Sequence, residues 1–206
     1  MHDRNVCHRD IKAHNIMIDM KKMTLKLIDF GLAKEIDVLT PMTPRTGSYR
    51  WMSPENLRGE SYDLSTDIYS YGIILWQLVT RQSPFSGIEA EQVGRLVAFE
   101  GLRPYVIQAS ATCPQELCDL IHVCWAEDPS SRPSIHAVIH RLEILSHRLG
   151  FHSSSSSDRA VATRSAGSRS AGSGSSSSFT SSSSSGNRRG SLAAMKEFFQ
   201  SRFGDK

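Results

Sequence analysis

Four polar side chains near the N-terminus have types and a spacing suited to phosphoryl transfer. Asp10, Lys12 and Asn15 lie close together in the sequence, and Asp29 follows after a short apolar stretch. Carboxylate and amide oxygens are ligands that a hard cation such as Mg²⁺ prefers, and Lys12 supplies a positive charge for a phosphate. Together these groups would hold a metal-bound polyphosphate in line with a nucleophile.

A small β-hairpin is predicted to bring these groups to one place. Apolar residues recur at every second position around 16–19 and 25–28, on either side of a polar turn at Lys21 and Lys22. Asp10 and Asn15 precede the first strand and Asp29 follows the second, so they would meet at one end of the hairpin. Farther along, apolar residues recur at helical spacing near 68–78, 93–97, 117–125 and 135–145. Four helices are therefore expected, with Ser134 as the N-cap of the last.

Composition and charge exclude several classes of protein. The 206 residues contain 24 Lys and Arg against 21 Asp and Glu, but residues 1–152 carry a net charge of −2 and residues 153–206 a net charge of +5. The basic character belongs to the tail, so nucleic acid is not an expected partner. No apolar run is long enough for a transmembrane segment, the N-terminus is too charged for a signal peptide, and four cysteines do not make a disulfide scaffold. A cytoplasmic or nuclear location is expected.

The composition also divides the chain into three parts. Residues 1–150 have enough regularly spaced apolar residues for a folded domain. Residues 151–187 are expected to be a disordered linker, because 18 of the 33 residues from 153 to 185 are serine. Residues 188–206 would form a short amphipathic helix on a partner surface, since their large apolar side chains recur at helical spacing.

The motifs in the first part resemble those of eukaryotic protein kinases. His8-Arg9-Asp10 with Lys12 and Asn15, then Asp29-Phe30-Gly31, then Pro54-Glu55, are similar to the catalytic loop, the metal-binding loop and the end of the activation segment. Asp67 in DIYSYG and Arg132 in CWAEDPSSRPS resemble two later marks of the family, so the resemblance extends to about residue 148. It implies a protein kinase-like fold, α+β overall, of which this chain holds mainly the helical C-lobe with a small β-hairpin.

The resemblance implies ATP and Mg²⁺ as cofactors, with Mn²⁺ as an alternative metal, and protein substrates. Asp10 would orient the substrate hydroxyl or accept its proton, Lys12 would neutralise the transferring phosphoryl group, and Asn15 and Asp29 would hold the metal. Structural roles are implied for His8, Arg9, Phe30, Gly31, Ser48, Glu55, Asp67 and Arg132. Among these, Asp67 would brace the catalytic loop and Glu55 would pair with Arg132.

Finer marks favour serine and threonine as the residues phosphorylated. Lys12 and Ser48 fall where Ser/Thr kinases place a lysine and a hydroxyl residue beside the catalytic aspartate. The run from Gly47 to Glu55 is similar to the G-T-Y-R-W-M-A-P-E of the tyrosine-kinase-like group, with Ser53 in place of Ala. A protein serine/threonine kinase is expected, and a tyrosine or dual-specificity kinase is the weaker alternative.

Regulation by phosphorylation is predicted at four positions. In protein kinases, the arginine next to the catalytic aspartate commonly binds a phosphate of the activation segment, and here that arginine is Arg9. The segment runs from Asp29 to Glu55, and Thr40, Thr43 and Thr46 are its candidate sites for an upstream activating kinase. Ser191 follows two arginines in the tail and resembles a substrate site of basophilic kinases.

A small lobe with a glycine-rich loop and a strand lysine is not found in the sequence. The chain is therefore interpreted as a fragment of a longer kinase, inactive alone, and the alternative is a real short product. A catalytically inactive kinase-like interaction module also remains open. The spacing of Cys118, Cys124, His136 and His140 is near that of a zinc finger, but the cysteines lie too far apart, so buried free thiols are expected.

Overall fold

A computed structural model describes residues 1–22, 24–35, 48–110 and 113–150. Its four short strands are β1 (Val6–Cys7), β2 (Ile16–Asp19), β3 (Thr24–Leu27) and β4 (Lys34–Glu35). Its five α-helices in these ranges are α1 (Pro54–Arg58), α2 (Ser65–Thr80), α3 (Ala90–Glu100), α4 (Gln115–Cys124) and α5 (Ile135–Arg148). The described part of the chain is thus mainly helical, with its strands confined to the first 35 residues.

The predicted hairpin is confirmed. Strands β2 and β3 pair antiparallel, with Ile16 opposite Leu27 and Asp19 opposite Thr24. The turn is closed by Asp19, whose Oδ1 accepts the backbone N–H groups of Lys21 and Lys22 at 3.0 Å each. A side-chain acceptor of this kind stabilises a tight turn because it replaces a backbone carbonyl.

A second strand pair was not predicted from the sequence. Strand β1 pairs antiparallel with β4, so that Val6 lies opposite Glu35 and Cys7 opposite Lys34. Each strand has only two residues, which is too short for an alternating pattern to show. The pair matters for the site because it ties the segment before Asp10 to the segment after Asp29.

The core is built around α2, whose buried face includes Tyr69, Ile73 and Trp76. Helix α4 packs closely on α2 at Gly72, where a β-carbon would lie 2.8 Å from the β-carbon of Cys124. Only glycine permits this approach of two helix backbones. Helix α2 is thereby fixed in the lobe, and its first turn carries Asp67.

The expected helix count of four was wrong, because α1 is a fifth helix. Its five residues are too few to produce a repeat of apolar positions. The other four helices lie where the apolar spacing indicated, and Ser134 is confirmed as the N-cap of α5, since its side chain accepts the N–H of Ala137. All four cysteines are free and buried, as expected.

Several predictions fall on other parts of the chain. Thr40, Thr43, Thr46 and Ser191 lie outside the described residues, as do the serine-rich linker 151–187 and the amphipathic segment 188–206. In the described ranges, no helix has the length and apolar content required to span a membrane.

Candidate active site

The two strand pairs place two loops side by side. Residues 8–15 connect β1 to β2, and residues 28–33 connect β3 to β4, so both loops lie between the same pairs of strands. The backbone N–H of Ile28 donates to the carbonyl of Asn15 at 2.9 Å, and Arg9 Nε donates to the carbonyl of Leu32. The loop of Asp10 and the loop of Asp29 are therefore joined at both ends.

The carboxylate of Asp10 is held by three neighbours. Its Oδ1 accepts the hydroxyl of Ser48 at 2.5 Å, and its Oδ2 accepts Lys12 Nζ at 2.6 Å and Asn15 Nδ2 at 3.0 Å. Lys12 Nζ also donates to Ser48 Oγ at 3.1 Å, and Asn15 Nδ2 to the carbonyl of Asp10 at 2.8 Å. The structure thus brings together three residues of one loop with a serine 38 positions later.

This network sets the charge of Asp10. Burial alone would raise the pKa of the carboxyl, but the hydrogen bonds from Lys12, Ser48 and Asn15 outweigh it, and the pKa of Asp10 is lowered. Asp10 is therefore ionised at neutral pH. A carboxylate has about four lone-pair sites, and three of them are used here, two on Oδ2 and one on Oδ1. The remaining site on Oδ1 is suited to accept a hydroxyl proton.

Asp67 holds the backbone on the N-terminal side of Asp10. From the first turn of α2, its Oδ2 accepts the N–H of His8 at 2.8 Å and its Oδ1 accepts the N–H of Arg9 at 2.9 Å. Its Oδ2 also contacts His2 Nε2 at 3.0 Å, and no motif or apolar pattern in the sequence indicates this contact. Arg9 has a φ of 68°, a conformation that non-glycine residues rarely adopt, so these bonds hold a strained loop.

His8 is fully buried beneath the two loops. Its Nε2 lies 3.1 Å from the carbonyl of Ile28, and its Nδ1 accepts the N–H of Asp10 at 3.4 Å. Because a carbonyl can only accept, the ring carries its proton on Nε2. The ring also meets the edge of Phe30 with centroids 4.9 Å apart. His8 therefore packs against Phe30 and links the two loops, which agrees with the structural role that the resemblance implies.

Asp29 presents its carboxylate on the exposed side of the second loop. Its φ of 62° is left-handed, and its Oδ1 accepts the N–H of Gly31 at 3.4 Å. A β-carbon at Gly31 would lie 3.3 Å from the same oxygen, so glycine keeps space around it. Because Asn15 donates through Nδ2 to Asp10, its amide oxygen faces away from that bond.

Asn15 and Asp29 carry oxygen atoms of the kind that a hard cation binds. In the described ranges, no group of three or more His, Cys, Asp or Glu side chains is arranged to hold a metal ion. Mg²⁺ commonly uses one or two carboxylates together with water and substrate phosphates, so Asp29 and the amide oxygen of Asn15 suit it without a full protein cage.

A buried ion pair lies below the site. Arg132 donates to both oxygens of Glu55, at 2.6 and 2.8 Å, and also to the carbonyls of Ala126, Ser65 and Glu127. The guanidinium is completely buried and lies 5.2 Å from the centre of the Tyr69 ring. The pair connects α1 to the loop before α5 and has no access to a substrate.

One departure noted in the sequence has a structural reason. Ser53 is fully buried, and its hydroxyl lies 2.7 Å from the hydroxyl of Thr66 in the first turn of α2. An alanine could not make this bond. The only sign of this hydrogen bond in the sequence is the serine at position 53 in place of alanine, because Thr66 lies 13 residues away.

Comparisons with known proteins identify the family. Residues 1–142 match the model of the protein kinase domain. The chain belongs to the protein kinase domain family. The expected kinase fold and its mainly helical lobe are thereby confirmed.

Similar proteins with names are also protein kinases. It is 42% identical over 142 residues to a probable serine/threonine-protein kinase of Dictyostelium discoideum, covering 69% of this chain and 15% of that protein. It is 37% identical over 147 residues to mitogen-activated protein kinase kinase kinase 11 of Homo sapiens, covering 68% and 17%. It is 37% identical over 150 residues to serine/threonine-protein kinase STY17 of Arabidopsis thaliana, covering 73% and 26%. The matches thus span about a quarter or less of each relative's length.

Proposed function

We propose that this chain is the substrate-binding and catalytic lobe of a protein serine/threonine kinase, which transfers the γ-phosphoryl group of ATP to Ser or Thr hydroxyls of proteins. The observation that carries the proposal is the ionised Asp10 held by Lys12, Ser48 and Asn15 with one lone-pair site left on Oδ1. Kinase-domain membership and the names of the relatives support it.

In this mechanism Asp10 accepts a hydrogen bond from the substrate hydroxyl through Oδ1 and takes its proton as the phosphoryl group is transferred. Lys12, 2.6 Å from Oδ2, places a positive charge where negative charge develops. Asn15 and Asp29 would hold Mg²⁺ or Mn²⁺, which when bound neutralises phosphate charge. Ser48 fixes the carboxylate orientation, so the proton acceptor is already aligned before substrate arrives.

The face next to the site suggests how the nucleotide is covered. Large apolar side chains are exposed along the hairpin and the following loop, namely Met17, Ile18, Met20, Ile28 and Phe30. Exposed apolar surface of this kind marks an interaction site. We propose that a nucleotide-binding lobe packs here, which makes activity a property of the two lobes together.

The decisive experiment uses the full-length protein purified from its natural source or expressed from its complete gene. Labelled ATP and a generic protein substrate are supplied, followed by analysis of the phosphorylated amino acids. Label on serine and threonine is expected, and Asp10→Asn should lower the rate by about 10²–10⁴-fold. The matched control is Asp119→Asn, an exposed change on α4 that should leave the rate unchanged. Label on tyrosine alone, or an Asp10→Asn rate equal to wild type, would refute the proposal.

Metal binding can be measured without turnover on the 206-residue chain. Added Mn²⁺ is paramagnetic and broadens NMR signals close to it. The amides of residues 15 and 29–31 should broaden in the wild type and stay sharp in Asp29→Ala. Equal broadening in both proteins would remove Asp29 from the metal site.

A further inference from the structure

Two cysteines outside the active site have their sulfur atoms in direct contact. Cys113 Sγ lies 3.1 Å from Cys118 Sγ, and each residue is only 1% exposed. Cys7 and Cys124 are equally buried, but the Cys113–Cys118 contact is the one thiol–thiol contact within the described ranges. The kinase mechanism makes no use of this pair.

The backbone on each side holds the two thiols face to face. Ser110 and Cys113 form an antiparallel bridge. The N–H of Ser110 donates to the carbonyl of Cys113 at 2.9 Å, and the N–H of Cys113 donates to the carbonyl of Ser110 at 3.1 Å. Cys118 lies in the first half of α4, with its N–H donating to the carbonyl of Pro114 at 3.2 Å. Cys118 Sγ also contacts the carbonyl of Cys113 at 3.8 Å. The contact therefore follows from the Ser110–Cys113 bridge and the start of α4.

We propose that Cys113 and Cys118 are an oxidative modification site, which forms a reversible intrachain disulfide with a hydroperoxide as the oxidant. A disulfide bond is about 2.05 Å long, so the two sulfur atoms need to approach by only about 1 Å. Rotation of the two side chains with a small backbone shift would supply this movement. No second protein molecule is required.

The chemistry balances in two steps. One thiol gives up its proton, its thiolate attacks a peroxide oxygen and the O–O bond breaks, so that a sulfenic acid and a hydroxide or alkoxide form, and the latter takes up the released proton to give water or alcohol. The second thiol attacks the sulfenic sulfur, the S–S bond forms, and hydroxide leaves and is protonated to water. Two thiols lose two electrons in total, and the peroxide is reduced by the same two. A small thiol reductant such as dithiothreitol reverses the reaction by thiol–disulfide exchange.

Burial determines how the site responds. An oxidant reaches a 1% exposed thiol when the start of α4 opens locally, so oxidation is slower than at a surface cysteine. Once the first sulfur is oxidised, however, its partner is already in contact and closes the disulfide before a second peroxide arrives. The pair therefore yields a reversible disulfide, whereas Cys7 and Cys124 do not.

Peptide mapping of the 206-residue chain tests the proposal. The protease Glu-C cleaves after glutamate, and Glu116 lies between the two cysteines. Digestion after Glu100, Glu116 and Glu127 places Cys113 in peptide 101–116 and both Cys118 and Cys124 in peptide 117–127. The two peptides stay together only if a disulfide joins them. The reduced, folded chain is treated with hydrogen peroxide, its remaining thiols are alkylated, and the digest is examined by mass spectrometry.

Matched variants identify the partner of Cys113. Cys124→Ala and Cys118→Ala each remove one buried sulfur from the same helix. The linked peptides should form in the wild type and in Cys124→Ala, disappear on treatment with dithiothreitol, and be missing in Cys118→Ala. The Cys124→Ala protein decides the question even if Cys118→Ala does not fold, because it leaves Cys118 as the only cysteine in peptide 117–127.

Two results would overturn the proposal. The first concerns the folded Cys124→Ala protein, in which Cys113 and Cys118 would both remain open to alkylation after the peroxide treatment. The same treatment must link these two cysteines in chain unfolded with guanidine. The second is a linked peptide pair in wild type that is lost in Cys124→Ala. In either case the 3.1 Å contact is a packing contact of two thiols with no redox role.

Discussion

Ser48 donates its hydroxyl to Oδ1 of Asp10 at 2.5 Å, although 38 residues separate the two in sequence. Both groups are buried, so water does not compete for this bond. Ser48 lies near the end of the segment that joins Asp29 to Glu55, whereas Asp10 lies in the loop before β2. The bond therefore couples the backbone position of that segment directly to the proposed proton acceptor.

Removal of the Ser48 hydroxyl should change the pH dependence of the kinase. Asp10 must be ionised to accept a proton, and its pKa is now held low by Lys12, Ser48 and Asn15 against the effect of burial. Ser48→Ala removes one donor, so the pKa of Asp10 should rise and the acidic limb of the kcat profile should move to higher pH. At neutral pH we expect kcat to fall about tenfold through lost alignment.

The conservative variant separates this effect from a general loss of structure. Ser48→Thr keeps the hydroxyl and should restore both kcat and the position of the acidic limb in the full-length kinase. An acidic limb that stays in place in Ser48→Ala would show that the hydroxyl does not set the ionisation of Asp10.

Asp67→Asn should destabilise the lobe and release the catalytic loop. Asp67 accepts the N–H groups of His8 and Arg9, and an asparagine amide can accept only one of them. The other N–H is left buried without a partner, which costs about 1–3 kcal/mol. Urea denaturation of the 206-residue chain measures this loss, and hydrogen exchange should become faster at one of the two amides.

The surface change Asp119→Asn serves again as the control, and its free energy of unfolding should stay within about 0.5 kcal/mol of wild type. Equal stability of Asp67→Asn and Asp119→Asn, with both loop amides still protected, would contradict the bracing role.

The features that could be predicted from the sequence are those with a local pattern. The hairpin around Lys21 has alternating apolar residues, and four helices have a helical repeat, the last of which begins after the N-cap Ser134. Motifs also indicated Asp10 and Asp29. What the sequence could not reveal depends on contacts between distant segments.

Two features illustrate this limit. The two-residue pair β1–β4 is stabilised by its surroundings rather than by its own side chains, so no pattern marks it. Cys113 lies just before the N-cap of α4 and Cys118 lies four residues into the helix, so their contact belongs to no helical repeat even though only five residues separate them. Neither feature has a local apolar pattern from which it could be predicted.

Removal of either partner of the Glu55–Arg132 pair should destabilise the folded lobe. Arg132→Ala leaves the carboxylate of Glu55 buried without its partner, and such a loss costs about 3–5 kcal/mol. Glu55→Ala leaves the guanidinium with only carbonyl acceptors, and we expect a cost of similar size. The double variant removes both charges and should lose much less than the sum of the two single changes.

Denaturant unfolding of the four proteins in this cycle gives the coupling energy. A coupling energy near zero would show that each residue acts through other neighbours, such as the Tyr69 ring over which Arg132 lies.

Gly72→Ala should lower stability even though alanine is the better helix former. In an exposed helix the exchange gains about 1 kcal/mol. In α2 the new β-carbon would lie 2.8 Å from the β-carbon of Cys124 and 3.3 Å from the backbone nitrogen of Trp125, so α4 would have to move. Overpacking of this kind costs about 1–3 kcal/mol, which exceeds or offsets the gain in propensity.

The comparison for Gly72→Ala is Gln92→Ala on the exposed face of α3, where propensity acts without packing. Thermal unfolding should show a lower Tm for Gly72→Ala and an unchanged or slightly higher Tm for Gln92→Ala. Because α4 also carries Cys118, a displaced α4 should slow formation of the Cys113–Cys118 disulfide in the Gly72→Ala chain. A Tm for Gly72→Ala above wild type would mean that the two helices are not packed as closely as the Gly72–Cys124 approach requires.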